Sequence, residues 1–366
     1  MTDAPASSGA APRRFLRLAL FIGLGACGGW LFQRIGSPLP WMIGPLVVTA
    51  LLCLTGALPT QVPNRLRPFG QVVVASQVGL TFTSETLHVV LELGPVILGT
   101  AMMTLVCILL VTLAFSRWSG MTLAQGFLAN VPTSPVEAAA MAVENRVDPV
   151  PVIFSQTLRL SAVVLVLPFG LFALEGWPAG RGMPYADVPI QPLNIVLLLA
   201  CGFAAMHLFR WLGIANPNFL GPLAATATLA VSGYGLPPYP AVILSAAQVV
   251  LGCWLGSTFR RELVARAGRL TLTCLVSILT LLAACSLGAA GIAHLAGMDW
   301  RLLVLGAAPG GVTEMALTAK FLGQNATIVT AFHLTRIFIF MPNIPWIVAV
   351  IARYERQRLR PESEDK

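Results

Sequence analysis

The charges that could do chemistry are few and come in matched pairs. Ser134-Pro135-Val136-Glu137 and Gly311-Val312-Thr313-Glu314 each set a carboxylate three residues past a helix-capping position, and Arg159 and Arg336 each follow their Glu by 22 residues, inside apolar runs. In the first copy Ser134, Pro135 and Glu137 fit an N-cap, a first-turn proline and a capping-box acid; the second keeps the Glu but has Gly at the cap. One reading makes the two carboxylates caps that satisfy amide donors and the helix dipole. The other makes them, with the Ser134 and Thr313 hydroxyls, a two-fold-related site for a proton or sodium ion. Each guanidinium needs a partner: either the Glu of its own half, helix to helix, or an anionic substrate in a cavity, helped by the helix N-termini. Gln156 and His333 precede the two arginines by three residues and share their helix face, as substrate hydrogen-bonding groups or as buried, satisfied side chains. Gln71 and Gln248, each followed by Val-Val, are inter-helix hydrogen-bonding residues or ligands.

The pairs share one register. Adding 177 carries Gly36, Pro40, Gly44 and Pro45 onto Gly213, Pro217, Gly221 and Pro222, and Gln71, Gly79, Thr81 and Glu85 onto Gln248, Gly256, Thr258 and Glu262. It also carries Pro132, Glu137, Arg159 and Pro168 onto Pro309, Glu314, Arg336 and Pro345. Gly, Pro and polar matches at constant register do not follow from shared hydrophobicity, so the chain reads as a duplicated unit. The long apolar segments are 15–34, 38–57, 68–82, 87–115 and 150–174, then 192–211, 215–233, 240–258, 270–297 and 325–352. Between them 120–145 and 301–322 are opened by Pro and Gly clusters that make an unbroken helix unfavourable.

These elements must sit in a bilayer. Of 366 residues 56% are apolar and 10% charged, against roughly 25% charged in a soluble domain. With about 20 apolar residues per crossing, no soluble domain of ordinary size fits, which removes cytosolic enzymes and DNA-binding modules. The net charge of +8 comes from arginines that flank apolar segments, such as Arg13/Arg14/Arg17, Arg65/Arg67 and Arg353/Arg356/Arg358; they report orientation, not nucleic acid. With the N-terminus inside and five crossings per half, the basic loops and the C-terminal tail all lie inside, and the odd count makes the halves inverted. The expected fold is all-α: a polytopic membrane protein of two inverted-topology repeats, each about five transmembrane helices plus one broken or re-entrant segment. Its parts are a disordered lead over 1–14, repeat 1 over 15–178, a linker over 179–191, repeat 2 over 192–353 and a cytoplasmic tail over 354–366. The seven cysteines all fall in apolar segments with no C-x-x-C spacing and read as small buried hydrophobes.

The 177-residue duplication, the opening PLPWMIGPL and the repeated P-x4-E elements (Pro132 to Glu137, Pro309 to Glu314) together resemble the AbrB family of bacterial membrane proteins, over nearly the whole chain after residue 15. That resemblance implies a duplicated protein of the bacterial inner membrane, for which the charge placement above puts both termini in the cytoplasm, in a family that has carried the labels ammonia monooxygenase and regulator of gene expression. It is unrelated to the small soluble DNA-binding protein of the same name. A copper or iron oxygenase needs clustered His and carboxylate ligands. The four His stand at 88, 207, 294 and 333, never closer than 39 residues, so no metal, cofactor or enzyme activity is expected. The function expected is secondary transport of a small anionic solute by alternating access, with a membrane sensor that affects gene expression indirectly as the alternative. The partners expected are the lipid bilayer, the solute with a proton or sodium ion, and a second copy in a homodimer.

Overall fold

The computed structural model describes residues 10–133, 135–175, 188–214, 216–234, 236–259, 261 and 268–359. The lead up to residue 9, Ser134, residues 179–187 of the expected linker, the Arg260 and Arg266 positions and the tail from 360 lie outside the described residues. Those described form fifteen α-helices and no strand. The first half of the chain holds α1 (Ala10–Ile35), α2 (Pro40–Thr55), α3 (Arg67–Gly79), α4 (Ser84–Glu92), α5 (Gly94–Ser119), α6 (Leu123–Asn130), α7 (Pro135–Glu144) and α8 (Pro149–Glu175). The second holds α9 (Pro192–Trp211), α10 (Pro217–Val231), α11 (Ala241–Gly256), α12 (Gly268–Ala296), α13 (Trp300–Ala307), α14 (Val312–Phe321) and α15 (Ala326–Leu359).

Among the described residues six helices are long and apolar enough to cross a bilayer: the spans Arg14–Ile35, Gly94–Ser119, Pro149–Leu174, Pro192–Trp211, Leu270–Ala296 and Ala326–Glu355. The other four of the ten expected crossings, α2, α3, α10 and α11, have 16, 13, 15 and 16 residues. At about 1.5 Å per residue they reach only ~20–24 Å of a ~30 Å hydrocarbon layer. The expected apolar segment 87–115 is divided at Leu93, with Pro95 at the start of α5. Both Pro/Gly-opened segments are indeed broken, into α6 and α7 and into α13 and α14.

The left-handed residues recur at the 177-residue spacing read from the sequence. All ten positive-φ residues among those described fall into pairs 177 apart: Leu39 with Asn216, Arg146 with Gly323, and the glycines 36/213, 56/233 and 120/297. Arg146 and Gly323 end α7 and α14 in the same way. Their N–H groups bond to Val143 O and Lys320 O, and those of Val147 and Gln324 to Ala142 O and Ala319 O, the double bond of a left-handed helix terminus.

The chain divides into two compact units, and each draws on both sequence halves. The first comprises Met1–Leu80, Gly180–Leu229 and Gly233–Ala265. Its helices approach backbone to backbone, because a Cβ at Gly44 would fall 2.6 Å from the Gly28 carbonyl carbon, and one at Gly221 2.6 Å from the Ala205 carbonyl oxygen. These contacts again differ by 177 in number. Small residues let apolar helices pack where lipid offers no hydrophobic drive for association.

The second unit, Thr81–Ala179 with Ala230–Ser232 and Arg266–Lys366, holds both broken segments and four of the six long spans. One buried cluster joins Ile97 of α5, Val163 and Leu167 of α8, Ala289 and Ala293 of α12, and Phe332 of α15. Another gathers Phe127 and Leu128 of α6 with Ile108, Leu281 and Phe340. α15 packs against both α6 and α13, so one helix touches the leading half of each broken segment.

Candidate functional site

A helix that stops at membrane depth leaves its last carbonyls without intrahelical partners, and an unsatisfied carbonyl there costs several kcal/mol. α6 stops at Asn130 and α13 at Ala307 because Pro132 and Pro309 follow. In both cases two side chains from a neighbouring helix take up the loose ends. From α8, Arg159 donates through Nη1 to Asn130 O at 2.7 Å and through Nη2 to Gln156 Oε1 at 2.7 Å, with a longer contact to Thr133 O at 3.5 Å. Gln156 Nε2 donates to Leu128 O, and to Val131 O at 2.9 Å.

The second break repeats this with different chemistry. From α15, Arg336 donates through Nη1 to Ala308 O at 2.7 Å and through Nη2 to Gly310 O at 3.1 Å. His333 Nε2 donates to Leu305 O at 2.9 Å, and its Nδ1 accepts from Arg336 Nη2 at 2.9 Å. Those two bonds together require the neutral tautomer with hydrogen on Nε2. Where Gln156 offers an amide oxygen to its arginine, His333 offers a ring nitrogen.

Arg159 is 1% exposed and Arg336 3%, while Gln156 and His333 are fully buried. A guanidinium at the carbonyl end of a helix is favoured by the helix dipole as well as by hydrogen bonding. The hydrogen bonds of both guanidiniums go to uncharged acceptors, and the Nε of each is buried without a hydrogen-bond partner. The expected helix-to-helix pairing with Glu137 or Glu314 is therefore not what holds them; backbone carbonyls are, together with Gln156 Oε1 and His333 Nδ1.

Glu137 and Glu314 occupy the first turns of α7 and α14 and are half-buried. The Glu314 carboxylate folds back over Gly311, the N-cap residue, so that any Cβ at 311 would collide with its Oε2. Thr313 is buried beside it. Ser134 is outside the described residues. Gln71 and Gln248 are buried in α3 and α11 of the first unit, where Gln71 Oε1 accepts from Asn218 Nδ2 at 3.3 Å and Asn218 Oδ1 from Arg210 at 3.0 Å. The other candidates all belong to the second unit.

Residues beyond those singled out from the sequence also build the site. Asn130 is buried; its backbone carbonyl receives Arg159, its amide nitrogen donates to Gly126 O at 3.0 Å and its amide oxygen accepts from Ser277 at 3.2 Å. Its place just before Pro132 was the available signal. At the other end of α6, Thr122 and Gln125 form a capping box, and the Glu355 carboxylate of α15 accepts from the Leu123 and Ala124 N–H groups. Asp299, the counterpart of Thr122, caps α13 through Arg301 N at 2.9 Å. Among the described residues no three His, Cys, Asp or Glu come close enough to hold a metal ion.

Comparison with known proteins places this architecture. Residues 41–352 match the family model described as "Transition state regulatory protein AbrB". A Bacillus subtilis (strain 168) protein named "Uncharacterized protein YhjN" is 26% identical over 350 residues, covering 89% of this chain and 90% of that protein. An Escherichia coli (strain K12) protein named "Putative regulator AbrB" is 23% identical over 345 residues, covering 93% and 96%. With six membrane-length apolar helices and a match over most of its length, the chain is a membrane protein of the AbrB family, in its long membrane type and not the soluble DNA-binding protein of that name.

Proposed function

We propose that this protein is a secondary transporter of a small anionic solute, working by alternating access between inverted halves in the bacterial inner membrane with both termini cytoplasmic. The observation that supports it best is the pair of broken segments, each with a buried guanidinium whose hydrogen bonds are all to neutral acceptors. Two such cations in one unit make an environment that favours an anion. The breaks provide the irregular backbone that membrane proteins tolerate where it lines a cavity or is buried in protein. Glu137 and Glu314, at the starts of α7 and α14, are the groups that would take up a coupling proton or sodium ion. A homodimer and the absence of oxygenase chemistry belong to the same reading; stoichiometric copper or iron in the purified protein would overturn the latter.

The test is flux. Purified protein in proteoliposomes, challenged with labelled small organic anions, shows uptake that Glu314→Gln abolishes while the protein stays folded. The naming of the family and of the Escherichia coli relative as regulators favours a second reading, a sensor whose effect on gene expression is indirect. Robust expression phenotypes with no flux for any anion would select it and reject transport.

A further inference from the structure

The two breaks are alike in backbone and in arginine, but their surroundings differ in one respect that the duplication makes visible. Beside the first break, between α5, α6, α8 and α12, lies a cavity of about 20 Å³. Six hydroxyl-bearing residues line it: Thr112, Ser116, Ser119, Ser155, Thr273 and Ser277. Asn130, whose carbonyl receives Arg159, forms its inner wall.

At the positions 177 away, six of these seven polar residues become Ala289, Ala293, Ala296, Phe332, Val96 and Ala307, and only Ser277 keeps a hydroxyl counterpart, Thr100. Ala289, Ala293, Ala307 and Phe332 belong to one buried apolar cluster, against which Val96 packs. Phe332, at the position equivalent to Ser155, presses on Gly306 so closely that a Cβ there would lie 2.8 Å from the ring. At these positions the second break is apolar save for Thr100, whereas the first has a polar chamber.

Three of the six hydroxyls in this chamber donate to the protein, and Thr112 Oγ1 accepts from Asn130 Nδ2 at 3.5 Å. Ser277 donates to Asn130 Oδ1 at 3.2 Å, Ser116 to Leu113 O at 3.4 Å and Ser119 to Ser116 O at 3.3 Å. The lining hydroxyls can both accept and donate, so the space suits a small occupant able to do both, such as water. A volume of 20 Å³ exceeds the roughly 10–15 Å³ that one water needs, and a water needs two to four polar partners, which this lining supplies. A metal cation is disfavoured by the guanidinium bonded to the chamber's own wall. The lining grades from half-exposed Ser119, Met121 and Thr273 to buried Thr112, Ser155, Ser277 and Asn130, which gives the chamber a mouth at the end of α5 and a floor at the break.

We propose that this chamber is a water site and a one-sided route of hydration, admitting water from the Ser119–Met121 end to the carbonyl that holds Arg159, with no equivalent at Arg336. The assignment rests on cavity and chemistry alone and holds whether or not the chain carries a solute.

α12 supplies a built-in comparison. Cys274 lines the chamber, and Cys285, eleven residues along the same helix, is equally buried but in the apolar cluster around Phe127 and Ile108. Hydroxyl-radical footprinting of the wild-type protein in lipid nanodiscs, read by peptide mass spectrometry, measures each thiol's oxidation rate against its access to water. Cys274 is expected to oxidise about tenfold faster than Cys285, since oxidation follows access. Ser119→Phe, at the half-exposed mouth, should bring the Cys274 rate down to that of Cys285. Equal rates for the two thiols in the wild-type protein overturn the proposal without any variant, as does a fast Cys274 rate that a folded Ser119→Phe protein leaves unchanged.

Discussion

At the scale of single residues, the arginines are held by backbone carbonyls, and that determines which substitutions are tolerated. Lysine keeps the charge of Arg159 but cannot present the planar fork that reaches Asn130 O and Gln156 Oε1 at 2.7 Å each. Arg159→Lys is expected to lose one charge-assisted bond, about 2 kcal/mol, seen as a lower thermal midpoint in detergent. At position 333 the structure makes a sharper statement. Gln156 does for Arg159 what His333 does for Arg336, so His333→Gln should keep stability to within about 1 kcal/mol. His333→Leu orphans both Leu305 O and an Arg336 N–H and should cost about 2–4 kcal/mol. Equal losses for Gln and Leu would show that the ring acts through its shape and not through its two hydrogen bonds.

At the scale of elements, the same backbone is carried by unlike residues, and some are poor choices locally. The residue ending α14 in the left-handed region is Gly323; the one ending α7 is Arg146, at φ 60° and exposed. A non-glycine residue there costs roughly 1–2 kcal/mol, so Arg146→Gly should raise stability by about 1 kcal/mol, measurable as an upward shift in thermal midpoint. The close crossing of α1 and α2 predicts the opposite sign. Gly44→Val places side-chain atoms into the Gly28 backbone and should cost more than about 3 kcal/mol, since neither backbone can yield without moving a helix. α6 is finished at both ends by other helices, Glu355 at its N–H end and Gln156 with Arg159 at its carbonyl end. An eight-residue helix is marginal alone and depends on those partners.

At the scale of the whole molecule, the topology and the transport reading stand or fall by experiments on intact membranes. Reporter fusions after residue 265 and after residue 360 should report the same, cytoplasmic, face; opposite faces would remove the inverted arrangement. Much of the architecture was legible. Apolar run lengths marked the six long spans, and Pro132 and Pro309 marked the breaks, because a proline's lost N–H ends a helix wherever it falls. The division at Leu93 and the shortness of α2, α3, α10 and α11 were less visible, since apolar residues continue past the helix ends into buried turns such as Leu39. The arginine partners were only partly legible: Gln156 and His333 were visible three residues before each arginine, but the expected charge partners were carboxylates, which sequence can display, whereas the remaining acceptors are backbone carbonyls, which every residue carries.

The amino-acid sequence by itself determined the class of molecule, the 177-residue spacing of its Gly, Pro and polar matches and the few interior charges worth mutating. Those follow from local rules: hydrocarbon requires apolar stretches, and Gly and Pro impose their backbone states regardless of surroundings. Only the tertiary structure decided that each compact unit takes helices from both halves, that both breaks and both arginines lie in one of them, and that one break faces hydroxyls and the other a phenyl ring. Helices distant in the chain must pack before a freed carbonyl meets its guanidinium, and no single segment encodes that meeting.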